Sequence, residues 1–64
     1  MENEEYIIFG FIDGDIRCLS IMPNKNKAIL GLFAFELIKE RIAPNVVLKA
    51  MSKTDFFYLM EKYQ

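Results

Sequence analysis

The chain contains no histidine, no tryptophan and a single cysteine, Cys18. Histidine is the commonest general acid–base group near neutral pH and the commonest metal ligand, so its absence disfavours most hydrolytic and metal chemistry. One cysteine cannot form an intrachain disulfide, so nothing argues against a reducing compartment. We interpret Cys18 as a small buried apolar residue, because no base lies near it to form a thiolate. We expect no enzyme, no cofactor and no metal site.

Two further motifs of catalytic or metal-binding proteins are missing. No glycine-rich loop of the phosphate-binding type is present, and the segment Asp13-Gly-Asp15 lacks the distant glutamate of a calcium loop. We therefore interpret Asp13-Gly-Asp15 as a turn with solvated acidic side chains.

Strong charge and long apolar runs are also missing. The net charge of −1 gives no electrostatic footprint for nucleic acid, which makes nucleic acid an unlikely partner. Residues 1–15 hold five acidic and no basic side chains, a start unlike that of a secretory signal. The longest apolar stretch, residues 28–38, is far shorter than the about 20 residues that cross a bilayer. These features predict a cytoplasmic protein with no membrane partner.

What the chain has in excess is apolar side chains. With 64 residues it forms one domain, residues 1–64, yet 53% of the residues are hydrophobic. A domain of this size buries only about 60% of the surface that its unfolded chain exposes. The chain is therefore richer in apolar residues than its interior can hold.

The first third of the chain has the pattern of a β-hairpin, which we place at residues 5–22. Two short β-branched and aromatic runs flank Asp13-Gly14, and a type I′ turn needs φ > 0 at both of its central residues. The two-residue loop then places Ile7 opposite Ser20. The first strand is apolar on both faces.

The remainder of the chain predicts three helices, at about residues 25–42, 44–51 and 53–63. Asn24 or Asn26 can cap the first helix. The second is short, and its pair of valines leaves a strand possible. Residues 52–55 match a capping box for the third. The resulting fold class is α+β with the order ββααα.

The apolar surplus predicts self-association. One helix cannot bury its apolar residues on a single hairpin when they occupy an arc of roughly 200° at 100° per residue. A symmetric dimer is the commonest closed assembly that covers such a patch. Gly31 would allow a close approach, either of a partner or of the chain's own hairpin. The candidate residues of the self- or partner-interface are Ile29, Leu30, Gly31, Phe33, Ala34, Leu37, Phe57 and Tyr58.

A candidate anion-binding site lies at the start of the first helix, at Asn24, Lys25, Asn26 and Lys27. Free N–H groups, the positive end of the helix dipole and two ammonium groups all favour an anion there. Ordinary helix capping by solvated side chains is the alternative interpretation.

Taken together, these features predict a non-catalytic protein-interaction module, a homodimer that acts as a regulator or inhibitor by binding a partner protein. Its small size and composition suit a phage protein that inhibits a host or defence protein. One alternative is an oligomeric binder of a small anionic ligand or nucleotide. A second is a nucleic-acid-binding regulator that uses the mildly basic helical part.

Overall fold

The fold is a three-stranded antiparallel sheet between two helices. The computed structural model describes residues 4–63. Its elements are β1 (Tyr6–Ile12), β2 (Asp15–Met22), α1 (Lys25–Ile42), β3 (Val47–Ser52) and α2 (Lys53–Tyr63). The strand order is β2-β1-β3, so β1 is the central strand. This confirms the α+β class, while the order of elements is ββαβα rather than ββααα.

The predicted helix over residues 44–51 is wrong. Residues 47–52 form β3, which pairs antiparallel with β1 and places Val47 opposite Phe11 and Leu48 opposite Gly10. The physical reason is the second edge of β1. A central strand covered on both faces must satisfy the backbone groups of that edge by pairing, and a short segment with two valines suits this role.

The hairpin forms as predicted at its turn and deviates further along. Asp13 has φ of 54° and Gly14 has φ of 83°, as a type I′ turn requires. The register then shifts at a bulge, between Ile8 and Phe9 of β1, so that Ile7 lies opposite Ile21 rather than opposite Ser20. A bulge of this kind inserts one extra residue into a strand and increases its local twist.

The two faces of β1 pack against different helices. On one face, Ile7 and Phe9 form a buried cluster with Phe56 of α2. The rings of Phe9 and Phe56 lie 5.0 Å apart between centroids. On the other face, the fully buried Ile8 lies beneath Gly31 of α1. Because neighbouring residues of a strand point to opposite faces, α1 and α2 cover opposite sides of the sheet.

The start of α2 is fixed by its connection to β3. The backbone N–H of Asp55 donates a hydrogen bond of 3.1 Å to Oγ of Ser52, the last residue of β3. The backbone N–H of Lys53 donates to the carbonyl oxygen of Glu5 at 2.9 Å. Two of the N–H groups at the helix start are thus satisfied. The bond between Asp55 and Ser52 is the cap that residues 52–55 predict.

The molecule is flat, with extents of 35, 29 and 10 Å. The smallest extent matches the width of three strands, which lie about 4.8 Å apart. A sheet this narrow covers only one side of each helix. Neither helix of residues 4–63 combines the length and the apolarity needed to cross a membrane.

Candidate functional site

A large exposed apolar surface lies on α1, on the side turned away from the sheet. We call it the outer face of α1. Its large side chains, Ile29, Leu30, Phe33 and Leu37, keep between 55% and 66% of their surface exposed. Two further exposed side chains of the same helix, Ile38 and Ile42, are turned toward the sheet instead.

The outer face exists because α1 is apolar on more sides than the sheet can cover. The helix buries only Ala28 completely, and Gly31, Leu32 and Phe35 are half-buried on the same side. Turns of 100° per residue place Leu30, Phe33 and Leu37 on the opposite side. Charged side chains interrupt this surface only toward the end of the helix, where Lys39, Glu40 and Arg41 follow one another.

The outer face is large enough to form the apolar centre of a protein–protein interface. Its four large side chains, with on the order of 100 Å² exposed apiece, present roughly 400 Å², half of the about 800 Å² that each partner contributes to a standard interface. Monomeric proteins rarely expose a contiguous apolar patch larger than a few hundred Å². The surface is therefore at the upper limit of what a monomer exposes.

An apolar groove lies between the end of α1 and the sheet. It has a volume of about 240 Å³, and the surface that lines it is entirely apolar. Ile38 and Ile42 form its wall on α1, and Leu19 and Leu48 belong to its wall on the sheet. The groove is therefore separate from the outer face, which lies on the other side of the helix.

The two free edges of the sheet are poor sites for association by comparison. The edge strand β2 carries the bulge, with Leu19 as its extra residue, and Arg17 is exposed beside it. The edge strand β3 carries the exposed Lys49 at its centre. Bulges and edge lysines are devices that prevent pairing with another strand. Association is therefore favoured through a face of the molecule rather than through its edges.

The structure divides the candidate interface residues of the sequence into three places. Ile29, Leu30, Phe33, Ala34 and Leu37 are all exposed on α1, away from the sheet. Gly31 faces the sheet, where a Cβ atom would lie 2.7 Å from Cε of Met22. This is the close packing on the chain's own hairpin that the sequence left open.

Phe57 and Tyr58 lie on α2, on the other side of the sheet, and more than half of each side chain is exposed. Each has a lysine above its ring: Nζ of Lys53 lies 5.9 Å from the centroid of Phe57, and Nζ of Lys62 lies 5.1 Å from that of Tyr58. Cations at such distances are attracted to the ring faces. These aromatic residues are therefore surrounded by charge, unlike those of α1.

Ile38 and Ile42 are the exposed apolar residues of α1 that sequence reasoning did not include among the candidates. Both belong to the apolar arc of the helix, so the periodicity contains the signal. Their exposure depends on how far the sheet extends beneath α1, which the helical pattern does not specify.

The residues of the candidate anion site begin α1 in the way that capping requires. Oδ1 of Asn24 accepts a hydrogen bond of 2.9 Å from the backbone N–H of Lys27, and the carbonyl oxygen of Asn24 accepts from the N–H of Ala28. Asn24 is therefore the N-cap residue. Anion binding by Asn24, Lys25, Asn26 and Lys27 stays a prediction.

Cys18 is exposed, so its predicted burial is wrong. It lies opposite Phe9 and thus on the side of the sheet that α2 covers. Within residues 4–63, however, α2 lies over β1 and β3 and reaches β2 only near the start of that strand, where Met60 and Tyr63 line one pocket with Ile16 and Arg17. Across those same residues, no group of three cysteine, aspartate or glutamate side chains is arranged to hold a metal ion.

Comparison of the chain with known protein families, with curated proteins and with solved structures gives no match in any of the three. The geometry of the chain itself therefore carries the functional argument.

Proposed function

We propose that this protein is a small non-catalytic protein-interaction module that works as a homodimer joined through the outer face of α1. The observation that carries the proposal is the exposure of four large apolar side chains on the outer face of one helix. A surface of this kind is used by association, because leaving it in water has a free-energy cost that burial removes.

A second copy of the chain is the partner that the surface fits best. The outer face supplies an apolar centre of about half the area that a standard interface requires from each partner, and the polar side chains around it supply a rim. A patch that contacts its own copy about a two-fold axis needs no other complementary surface. A small dimer without catalytic groups acts by presenting or covering a surface, as regulators and inhibitors do.

The test is the mass in solution, measured by light scattering over a wide range of dilution. We expect a dimer for the unchanged chain and a monomer for the Phe33→Glu variant, because a buried carboxylate without a partner is strongly unfavourable. Phe57→Glu is the matched control. It makes the same change at another exposed phenylalanine, and it should leave the dimer intact.

The melting temperature provides a second measurement in case Phe33→Glu fails to fold. Only a self-associating protein has a melting temperature that rises with its own concentration. A monomeric mass at every concentration, with a melting temperature independent of concentration, would contradict the proposal. Dissociation by Phe57→Glu and not by Phe33→Glu would move the interface to α2 and would contradict it as well.

A further inference from the structure

We infer that the two copies pack with their α1 helices antiparallel, across a two-fold axis that passes near Ala34. This inference rests on the proposed homodimer and specifies its geometry. A closed dimer joined through one helix face has two simple arrangements. The two-fold axis runs either along the helices, which makes them parallel, or across them, which makes them antiparallel.

The charges of α1 favour the antiparallel arrangement. The first turn holds Lys25 and Lys27 and no acidic residue, so both lysines oppose the dipole of their own helix. In a parallel dimer, four lysines and two positive dipole ends would lie together. In an antiparallel dimer, each pair of lysines lies beside the negative end of the partner's helix.

The side chains at the other end of α1 are compatible with this placement. The last turns carry Glu36, Lys39, Glu40 and Arg41, whose formal charges cancel. The ammonium group of Lys39 is already engaged: it donates to the carbonyl oxygen of Pro44 at 3.0 Å and lies 3.8 Å from a carboxylate oxygen of Glu36. In the antiparallel dimer, Lys25 and Lys27 of the other copy therefore lie beside a group of side chains with no net charge and beside the exposed carbonyls of the helix end.

The position of the axis follows from the extent of the outer face. Its residues run from Ile29 to Leu37, and overlap is greatest when the axis crosses near the middle, beside Phe33 and Ala34. In an antiparallel dimer, a residue at the axis lies close to its own copy. Asn26, eight residues before Ala34, would then be about 25 Å from its own copy along the helix axis.

The experiment measures two distances by pulsed electron paramagnetic resonance, with nitroxide labels on single cysteines in a Cys18→Ser chain. Ala34→Cys places the label near the middle of α1, and Asn26→Cys places it near the start. Neither position is the N-cap residue, and both are exposed. We expect a short distance between the labels at residue 34 and a distance longer by about 20 Å at residue 26.

Equal short distances at both positions would show a parallel dimer and overturn the inference, while the proposed homodimer would stand. A dilution-independent monomeric mass with no dipolar coupling at either position would overturn both. The two failures are therefore distinguishable.

The double variant Lys25→Gln/Lys27→Gln gives an independent test, because the two arrangements predict opposite changes in the dissociation constant. In the antiparallel dimer it removes attraction to the partner's helix end, so the dissociation constant should rise several-fold at low salt. In a parallel dimer it would relieve repulsion and lower the dissociation constant. A lowered constant therefore contradicts the inference.

Discussion

A Cβ atom placed on Gly31 would lie 2.9 Å from Cδ1 of Ile8, closer than side chains approach in folded proteins. Ile8 is fully buried, so it has little room to move. Glycine within a helix costs about 1 kcal/mol relative to alanine. In return, the missing side chain allows α1 to pack directly on the central strand. Gly31 thus determines which side of α1 faces the sheet and which side stays exposed.

We predict that Gly31→Leu lowers the free energy of unfolding by about 1–3 kcal/mol, because added methylene groups in a packed interface force neighbouring side chains out of place. Ala34→Leu on the exposed side is the matched control, and it should change stability by less than about 0.5 kcal/mol. Both are made in the Phe33→Glu chain, so that association does not enter. Urea denaturation measures the difference, and equal stabilities would contradict the role of Gly31.

The elements that the sequence predicted correctly are those with local signals. Asp13-Gly14 defines the hairpin turn, Asn24 caps α1, and Ser52 caps α2. Each of these acts on backbone groups within three residues of itself, so a reader of the sequence can recognise it. The bounds of both helices follow from such signals.

The strand β3 could not be predicted in this way. Its six residues are too short for a clear period, and what selects a strand is the unpaired edge of β1, about forty residues earlier in the chain. The composition of the outer face was predictable as a surplus of apolar residues. Which further apolar residues of α1 stay exposed, such as Ile38 and Ile42, depends on a sheet only three strands wide, which requires β3 to be known.

A second prediction concerns two adjacent phenylalanines of α2. Phe56 is 7% exposed and packs on Phe9, whereas Phe57 is 53% exposed. Phe56→Ala should lower the free energy of unfolding by about 3–5 kcal/mol, since it leaves a cavity in the core of a small domain. Phe57→Ala should cost less than about 1 kcal/mol. Thermal denaturation followed by circular dichroism compares the two, and similar melting temperatures would show that the core is placed wrongly.

A third prediction follows from the exposure of Cys18. Because α2 reaches β2 only near the start of that strand, the thiol is open to solvent in the folded chain. We expect Cys18 to react with Ellman's reagent in native buffer nearly as fast as in denaturant. A Cys18→Ser/Ala28→Cys chain is the control, since residue 28 is 1% exposed and should react only on unfolding. Protection of Cys18 in native buffer at every protein concentration would contradict the open side of β2, and protection that is lost on dilution would place β2 in the dimer interface.

The last prediction concerns the junction between β3 and α2, where no loop separates the strand from the helix. Oγ of Ser52 accepts the N–H of Asp55 at 3.1 Å, and Ser52 is itself buried, so water cannot replace the bond at little cost. Ser52→Ala should therefore lower the free energy of unfolding by about 1 kcal/mol.

Ser52→Thr is the control for this junction, because it keeps a hydroxyl oxygen at the same place and should retain most of the stability. Since α2 covers one face of the core, a weakened helix start should also speed hydrogen exchange of the amides in the first turns of α2, before those of β1 exchange. Equal exchange in the alanine and threonine variants would mean that β3, and not the hydroxyl group, positions the start of the helix.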